Sequence, residues 1–425
     1  METYKFLLDF ALILLSTKAL GLLTRKFKMP QVVGALLAGL ILGPACFGII
    51  TETDFIHKTA EVGVIVLMFC AGLETDIKEL KHCGKASFVI AMFGVILPLI
   101  GGYIVGFIFN RQDIIASDAN CSVFLQNIFI GIILTATSVS ITVETLKELG
   151  KLKTHSGNAI LGAAVIDDII GIVALTVIMG MADSSINIAV VLLKIVGFFV
   201  FAVVAGYLFY KFYSKWSEKS ESNLHRHAIV AFVFCILLSY IAERFFGVAD
   251  ITGAFIAGLI ISSTQKSQYL ASKFDVLSYL YLSPIFFASI GLKVIIPKMD
   301  GNIILFSVVL VLVAIVTKIV GCGLGAKLCK YKNYQALRIG VGMISRGEVA
   351  LIVASKGQAI GMLGDNFLGP VVIVVIITTI ITPIMLKPVF KFGPELKPVS
   401  VSENTFYNNY EQIYELRSGE PKQKK

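Results

Sequence analysis

Long apolar stretches separated by short polar breaks recur from one end of the chain to the other. The hydrocarbon core of a bilayer is about 30 Å thick, so each crossing helix needs roughly 20 consecutive apolar residues. The pattern predicts about thirteen such helices. The predicted spans cover residues 4–24, 30–50, 58–75, 86–109, 124–146, 154–181, 186–212, 226–245, 247–264, 274–296, 301–327, 334–360 and 365–391.

Composition supports an all-α polytopic membrane protein. Hydrophobic residues make up 56% of the 425 residues and charged residues only 15%, which is too apolar for a soluble domain. Transmembrane β-strands would show alternating segments of about 10 residues, which the chain lacks. The sequence therefore predicts a helical, multi-pass protein of the plasma membrane, in contact with lipid.

Charges in the predicted loops set the orientation. Alternate loops carry nineteen Lys and Arg residues, and the intervening loops and the N-terminus carry six. Because cytoplasmic loops are rich in Lys and Arg, we predict an external N-terminus and a cytoplasmic C-terminus. The same rule accounts for the net charge of +9, so no nucleic acid partner is implied.

About thirteen spans divide into six, one and six, and the odd span in the middle gives the two six-helix halves inverted topology. Secondary transporters use this architecture, with a site at mid-membrane formed by interrupted helices in corresponding positions. The fifth span of each half has such a composition. One carries the hydroxyl-rich "TATSVSIT" (135–142) and the other the glycine-rich "GVGMISRGE" (340–348). Both can unwind at midplane, although small residues also serve close helix packing.

Five ionisable residues are predicted near the middle of the membrane: Asp167, Asp168, Lys318, Arg346 and Glu348. Their formal charge sums to minus one, so two ion pairs would leave one carboxylate without a partner. Such a carboxylate is neutralised by a proton or by a cation, and competition between the two is the minimal machinery of cation/proton exchange. The alternative for Lys318 and for the Arg346–Glu348 pair is a structural ion pair that fixes helix packing.

Seven segments together resemble the second monovalent cation:proton antiporter family, which contains bacterial sodium/proton and potassium/proton exchangers. They are "MPQVVGALLAGLILGP" (29–44), "LMFCAGLETD" (67–76), "TATSVSITVETLKELGKLKT" (135–154), "AAVIDDIIGIVAL" (163–175), "ADITGAFIAGLIIS" (249–262), "SPIFFASIGL" (283–292) and "SRGEVALIVA" (345–354).

The resemblance implies a homodimer in which a dimerisation domain supports a moving core domain with two crossing, broken helices. It places the dimerisation domain in residues 1–85 and 226–300, and the core domain in residues 86–181 and 301–394. A linker helix would lie in residues 182–225. Residues 395–425 would form a cytoplasmic tail, which is polar and predicted to be disordered or to form a short interfacial helix, with no partner identified.

Residue by residue, Asp168 matches the family's ion-binding and proton-binding aspartate. Asp167 matches its acidic neighbour, and Lys318 matches the lysine that forms a salt bridge with that neighbour. An Asp-Asp pair with such a lysine is associated in this family with electrogenic exchange, in which protons outnumber the cation.

The two broken helices supply the remaining site residues that the resemblance implies. Thr137 and Ser138 match positions where the first broken helix meets the ion, and Arg346 and Glu348 match the polar group of the second. The expected protein ligands of the cation are Asp168, Thr137 and Asp167.

The sequence therefore predicts a secondary transporter that exchanges Na⁺, or Li⁺ or K⁺, for protons by alternating access. No catalytic or cofactor-binding motif is present, so neither an enzyme nor a cofactor is predicted. The choice among the three cations stays open, because selectivity depends on distances within the site. The alternatives are an electroneutral potassium/proton antiporter and, in other classes, a cation channel or a sensor on a transporter scaffold.

Overall fold

Helices make up the fold of the described part of the chain, with no strand among those residues. The structure is a computed structural model that describes residues 4–27, 29–75, 77–111, 114–115, 119, 121–182, 188–219, 224–294 and 300–392. The predicted tail at 395–425 lies outside the described residues. In chain order the helices are α1 (Lys5–Lys26), α2 (Gln31–Leu42), α3 (Asp54–Glu74), α4 (Ile77–Phe109), α5 (Val123–Thr135), α6 (Val139–Glu148), α7 (His155–Ala182), α8 (Ile188–Lys219), α9 (Leu224–Ile241), α10 (Asp250–Ser262), α11 (Ser267–Leu277), α12 (Ser283–Leu292), α13 (Gly301–Leu328), α14 (Asn333–Gly342), α15 (Glu348–Ala359) and α16 (Asp365–Val389).

The predicted all-α membrane architecture is confirmed. Within the described ranges, ten helical segments are long and apolar enough to cross a membrane, and α2 and α10 are shorter apolar helices. Two short π-helical segments, Ala242–Phe246 and Ser278–Leu282, extend α9 and join α11 to α12. Every predicted span coincides with one or two of these helices. The total of thirteen crossings stays a prediction.

The second predicted span is much shorter than expected, because α2 ends at Leu42 rather than near residue 50. Gly43 and Pro44 follow the helix directly, and a residue that precedes proline is disfavoured in the α-conformation. The third predicted span is longer instead. It begins at Asp54, where the Thr53 hydroxyl accepts a hydrogen bond from the Ile56 amide and caps the first turn.

Contacts between helix ends define two ends of the helical bundle. At one end, which we call the basic end, the last residue of α6 bonds to the first residue of α2, and Arg338 of α14 donates hydrogen bonds to carbonyls that follow α16. At the opposite end, Asn110 after α4 bonds to Gln126 of α5. Successive spans therefore run in alternating directions, and the basic end carries the Lys-rich and Arg-rich loops.

Candidate ion-binding site

Two helical spans are interrupted in the middle of the bundle. One is broken at residues 136–138, between α5 and α6, and the other at residues 343–347, between α14 and α15. Both interruptions fall in the hydroxyl-rich and glycine-rich segments, so the predicted unwinding is present. The first span runs toward the basic end and the second runs away from it, as inverted halves require.

The two unwound segments cross and are hydrogen-bonded to each other. The Ser138 amide donates to the Ser345 carbonyl at 2.8 Å, and the Ser345 hydroxyl donates to the Ser138 carbonyl at 2.7 Å. One turn into α6, the Thr142 hydroxyl donates to the Gly342 carbonyl at 2.7 Å. Because a backbone that leaves the helix inside a membrane must find new partners, these hydrogen bonds explain how both spans stay open.

The crossing is close because residue 347 has no side chain. A Cβ atom at Gly347 would lie 2.7 Å from the Ser138 hydroxyl and 2.8 Å from the Ser138 Cβ. The backbone at Gly347 has a negative φ of −139°, so the requirement for glycine there is one of space rather than conformation.

A buried ion pair lies beside the crossing. Lys318 of α13 contacts both carboxylate oxygens of Asp167 on α7, at 3.0 and 3.1 Å, and neither side chain is exposed by more than 1%. Gly94 of α4 makes the space for it, since a Cβ there would meet the Cys322 sulfur at 2.7 Å and lie 3.6 Å from the Lys318 Nζ. The predicted pairing of Asp167 with Lys318 is therefore present.

Asp168 stands next to this pair without a partner of its own. Within the described part of the chain, its carboxylate has no hydrogen bond and no ion pair, and the residue is half-buried. Adjacent residues on a helix point about 100° apart, which is why one aspartate faces Lys318 and the other does not. The site therefore offers one paired carboxylate and one available carboxylate.

Arg346 is fully buried in the second unwound segment. Its guanidinium donates to the carbonyls of Ile344 at 2.8 Å, and of Met343 and Ala314 at 3.4 Å. The arginine thus satisfies the Met343 and Ile344 carbonyls, which the break in the helix has freed, and ties them to α13 through the Ala314 carbonyl. The Glu348 side chain lies outside the described residues, so its predicted pairing with Arg346 stays a prediction.

The hydroxyls of the first unwound segment are oriented by local contacts. Thr137 donates to the Thr135 carbonyl at 3.3 Å, and the Ser138 hydroxyl lies 3.3 Å from that of Ser140. Both Thr137 and Ser138 are buried, and they line a gap between α6 and α7. Their part in ligating an ion stays a prediction.

Access to the site differs between the two ends. From Ser156 to Ala164 every residue of α7 is buried, and the gap that separates this part of α7 from α6 does not admit a water molecule. From Asp168 to Val177 every residue is half-buried. A helix with one side on lipid alternates buried and exposed positions, so this run indicates loose packing all round. The gap between α6 and α7 is thus closed toward the basic end, and α7 is loosely packed toward the other end.

A second group of charged residues, at the basic end of α6, was missed in the sequence. Lys147 pairs with Glu74 of α3 at 3.6 Å and also with Asp275 of α11. Glu148 accepts the Gln31 amide of α2 at 2.7 and 2.8 Å. In the sequence, Lys147 is one of the nineteen Lys and Arg residues that mark the predicted cytoplasmic loops. The signal was the run of charges at 144, 147 and 148, which share one side of a helix.

Comparison with known proteins gives consistent matches over nearly the whole chain. The family model described as sodium/hydrogen exchanger, transmembrane, matches residues 11–392. The Na⁺/H⁺-K⁺ antiporter GerN of Bacillus cereus is 38% identical over 404 residues, which cover 94% of this chain and all of GerN. The probable Na⁺/H⁺ antiporter GerT of the same species is 41% identical over 91% of this chain and 99% of GerT. A Na⁺/H⁺ antiporter of Enterococcus hirae is 37% identical over 88% of this chain and 96% of that antiporter.

The fold of this chain resembles those of solved antiporter structures. The structure of the sodium proton antiporter MjNhaP1 from Methanocaldococcus jannaschii at pH 8 superposes with a TM-score of 0.67 at 19% identity, over 92% of this chain and 98% of that one. A second structure of the same antiporter, from electron microscopy, gives a TM-score of 0.70 at 21% identity, over 94% and 100%. At these identities the likeness concerns the fold alone.

Proposed function

The chain belongs to the sodium/hydrogen exchanger family, and we propose that it exchanges a monovalent cation for protons across the membrane. The cation class follows from relatives that are described as Na⁺/H⁺ and Na⁺/H⁺-K⁺ antiporters. Sodium is the primary candidate, with lithium and potassium as the others.

The observation that carries the proposal is the state of the two aspartates. Asp167 is neutralised by Lys318, whereas Asp168 has no bonding partner among the described residues and lies where the packing loosens. A carboxylate held at membrane depth is costly as a bare anion, so it binds either a proton or a cation. One group that accepts either species, but not both, couples the two fluxes in opposite directions.

The remaining ligands of the cation would come from oxygen atoms close to the crossing. Hard cations prefer oxygen ligands, and the unwound spans supply hydroxyls and main-chain carbonyls at the same level as the aspartates. Thr137 and Asp167 are the proposed partners of Asp168 in this set, and Ser138 lies next to Thr137. Binding near Asp167 would weaken its bond to Lys318, and release of the lysine proton would then give more than one proton per cation.

The transport cycle would proceed by alternating access. In the proposed division, residues 86–181 and 301–394 move as a core domain against a dimerisation domain formed by residues 1–85 and 226–300, with residues 182–225 as the linker. The protein would act as a homodimer in the plasma membrane, with its N-terminus outside and the basic end in the cytoplasm. Because the site is closed toward the basic end, the structure would correspond to the outward-facing half of the cycle.

The test is cation-dependent proton movement in proteoliposomes that contain a pH-sensitive dye. Na⁺ added outside should enter the vesicles in exchange for protons and so raise the pH of the lumen. Asp168→Asn should abolish this response. Asp300→Asn is the matched control, since Asp300 is exposed at the start of α13. Full activity of Asp168→Asn would refute the assignment.

Stoichiometry needs a separate measurement. Exchange of more than one proton per cation moves net charge, so an imposed membrane potential should drive it. An exchange rate that does not depend on the membrane potential would favour the electroneutral alternative. Single-channel currents without proton coupling would favour a channel.

A further inference from the structure

The basic end of α6 is bonded to three helices at once. Lys147 forms ion pairs with Glu74 of α3 and Asp275 of α11, and these three residues are called the basic-end bridge below. The next residue, Glu148, accepts the first amide of α2 with both carboxylate oxygens. In the described part of the chain, the two ion pairs of Lys147 are the only ones that connect α6 to α3 and α11.

These contacts join parts of the molecule that the proposed function requires to move apart. α6 is the second half of a broken span, and its first residue follows the unwound segment that carries Thr137 and Ser138. The helices α2, α3 and α11 belong to the proposed dimerisation domain. A helix of 10 residues is about 15 Å long, so α6 connects the ion site to the basic-end bridge as one rigid element.

A cavity lies beside the bridge, between α6 and helices α1, α2, α11 and α12 of the proposed dimerisation domain. Its volume is about 170 Å³, and Glu144, Lys147, Glu148 and Asp275 are among the residues that line it. Toward Asp168, the gap between α6 and α7 admits no water. The bridge therefore closes the boundary between the proposed core and dimerisation domains at the basic end, next to this cavity.

The exposure of the bridge is suited to a contact that opens and closes. The Lys147 side chain is 20% exposed and the Asp275 side chain 48% exposed. Ion pairs that water can reach are weak, because water solvates the two charges when they separate and so offsets much of the lost attraction. The Asp167–Lys318 pair, by contrast, is almost completely excluded from water.

We propose that Lys147 is a positioning residue of the transport cycle, which holds α6 against α3 and α11 and so keeps the ion site closed toward the basic end. The proposal rests on the proposed function, since it assigns the bridge to one of the two states of an alternating-access cycle. Separation of Lys147 from Glu74 and Asp275 accompanies opening of the site to the cavity on that side.

The test is chemical labelling of a cysteine on α7, which reports the open side without any need for transport. Gly171 lies one turn beyond Asp168 toward the opposite end, and a Cβ there would meet nothing within 4 Å. Gly171→Cys is made in a background without the seven native cysteines, and a membrane-impermeant maleimide is applied from the side opposite the basic end. The parent should be labelled from that side.

Loss of the bridge should lower this labelling rate, because the population shifts toward the state that opens at the basic end. We expect Lys147→Met to slow labelling by about twofold to fivefold, fivefold being the largest shift that an exposed ion pair can produce. Glu74→Gln with Asp275→Asn should have the same effect from the other domain. Combining all three substitutions should add little, because the same contact is removed. Lys153→Met, an exposed lysine at the same end, is the matched control.

The result that would overturn the proposal is an unchanged labelling rate in Lys147→Met or in Glu74→Gln/Asp275→Asn, whatever happens to stability. A parent that is not labelled from this side would also overturn it, since the site would then not be open there. Failure of the proposed function would give a different result. Asp168→Asn would retain exchange, while Lys147→Met would still slow the labelling of residue 171.

Discussion

The buried pair at the middle of the bundle and the bridge at its basic end are both made of lysine and carboxylate, yet their surroundings are opposite. Lys318 and Asp167 are enclosed by α4, α7 and α13, and glycines in two of these helices let the backbones approach. Lys147 and Asp275 lie beside a cavity and keep a fifth to a half of their side-chain surface exposed. Burial means that the first pair contributes strongly to stability and is shielded from salt, whereas exposure makes the second pair weak enough to separate and reform without a ligand.

The largest effect on stability should come from the buried pair. Lys318→Met removes the partner of Asp167 and leaves an uncompensated charge in the interior, which costs about 3–5 kcal/mol when one member of such a pair is lost. The measurement is thermal unfolding of the purified protein in detergent. The double variant Asp167→Asn/Lys318→Met should recover most of the loss, because no unpaired charge remains. A single variant as stable as the double variant would contradict this account of the pair.

The next effect concerns the close approach of the two unwound segments. Gly347→Ala places a methyl group 2.7 to 2.8 Å from Ser138 atoms, and overpacking of this kind costs about 1–3 kcal/mol. Unfolding in detergent measures the loss. Adding Ser138→Gly should restore stability, whereas Ser138→Ala should not, because the Cβ of residue 138 is itself too close. Equal rescue by both would show that the crossing has shifted rather than clashed.

A smaller effect is expected from the hydrogen bonds that hold the crossing. Thr142→Val keeps the shape of the side chain but leaves the Gly342 carbonyl without its donor, at a cost of about 1 kcal/mol. Thr145→Val is the matched control, since among the described residues the Thr145 hydroxyl bonds only to the Ile141 carbonyl of its own helix. The same loss in both variants would mean that the contact between the two spans contributes nothing beyond local helix effects.

The sequence predicts the central region better than the basic end, for a physical reason. Charges in an apolar span are costly, so Asp167, Asp168 and Lys318 stand out against their own neighbours. Hydroxyls and glycines weaken a helix locally, so the two breaks also follow from short segments. These signals need no knowledge of the tertiary structure.

Other features depend on which helices meet, and the sequence does not contain them in readable form. Lys147 looks like any lysine of a cytoplasmic loop until α3 and α11 bring Glu74 and Asp275 to it. The bonds from the Arg346 guanidinium to the Met343 and Ile344 carbonyls likewise depend on the opening of the helix, which frees those carbonyls. The early end of α2 was likewise hidden by an apolar stretch that continues beyond Leu42.

The smallest effect on stability should come from Lys147→Met, and it separates the two pairs most directly. Exposed ion pairs contribute about 0–1 kcal/mol, so unfolding should shift much less than in Lys318→Met. Added salt screens charges that water reaches, but hardly affects a buried pair. The difference in stability between the native protein and Lys147→Met should therefore vanish in high salt, while that for Lys318→Met should persist. If both differences respond to salt alike, then water reaches the central pair as well, and burial does not distinguish the two pairs.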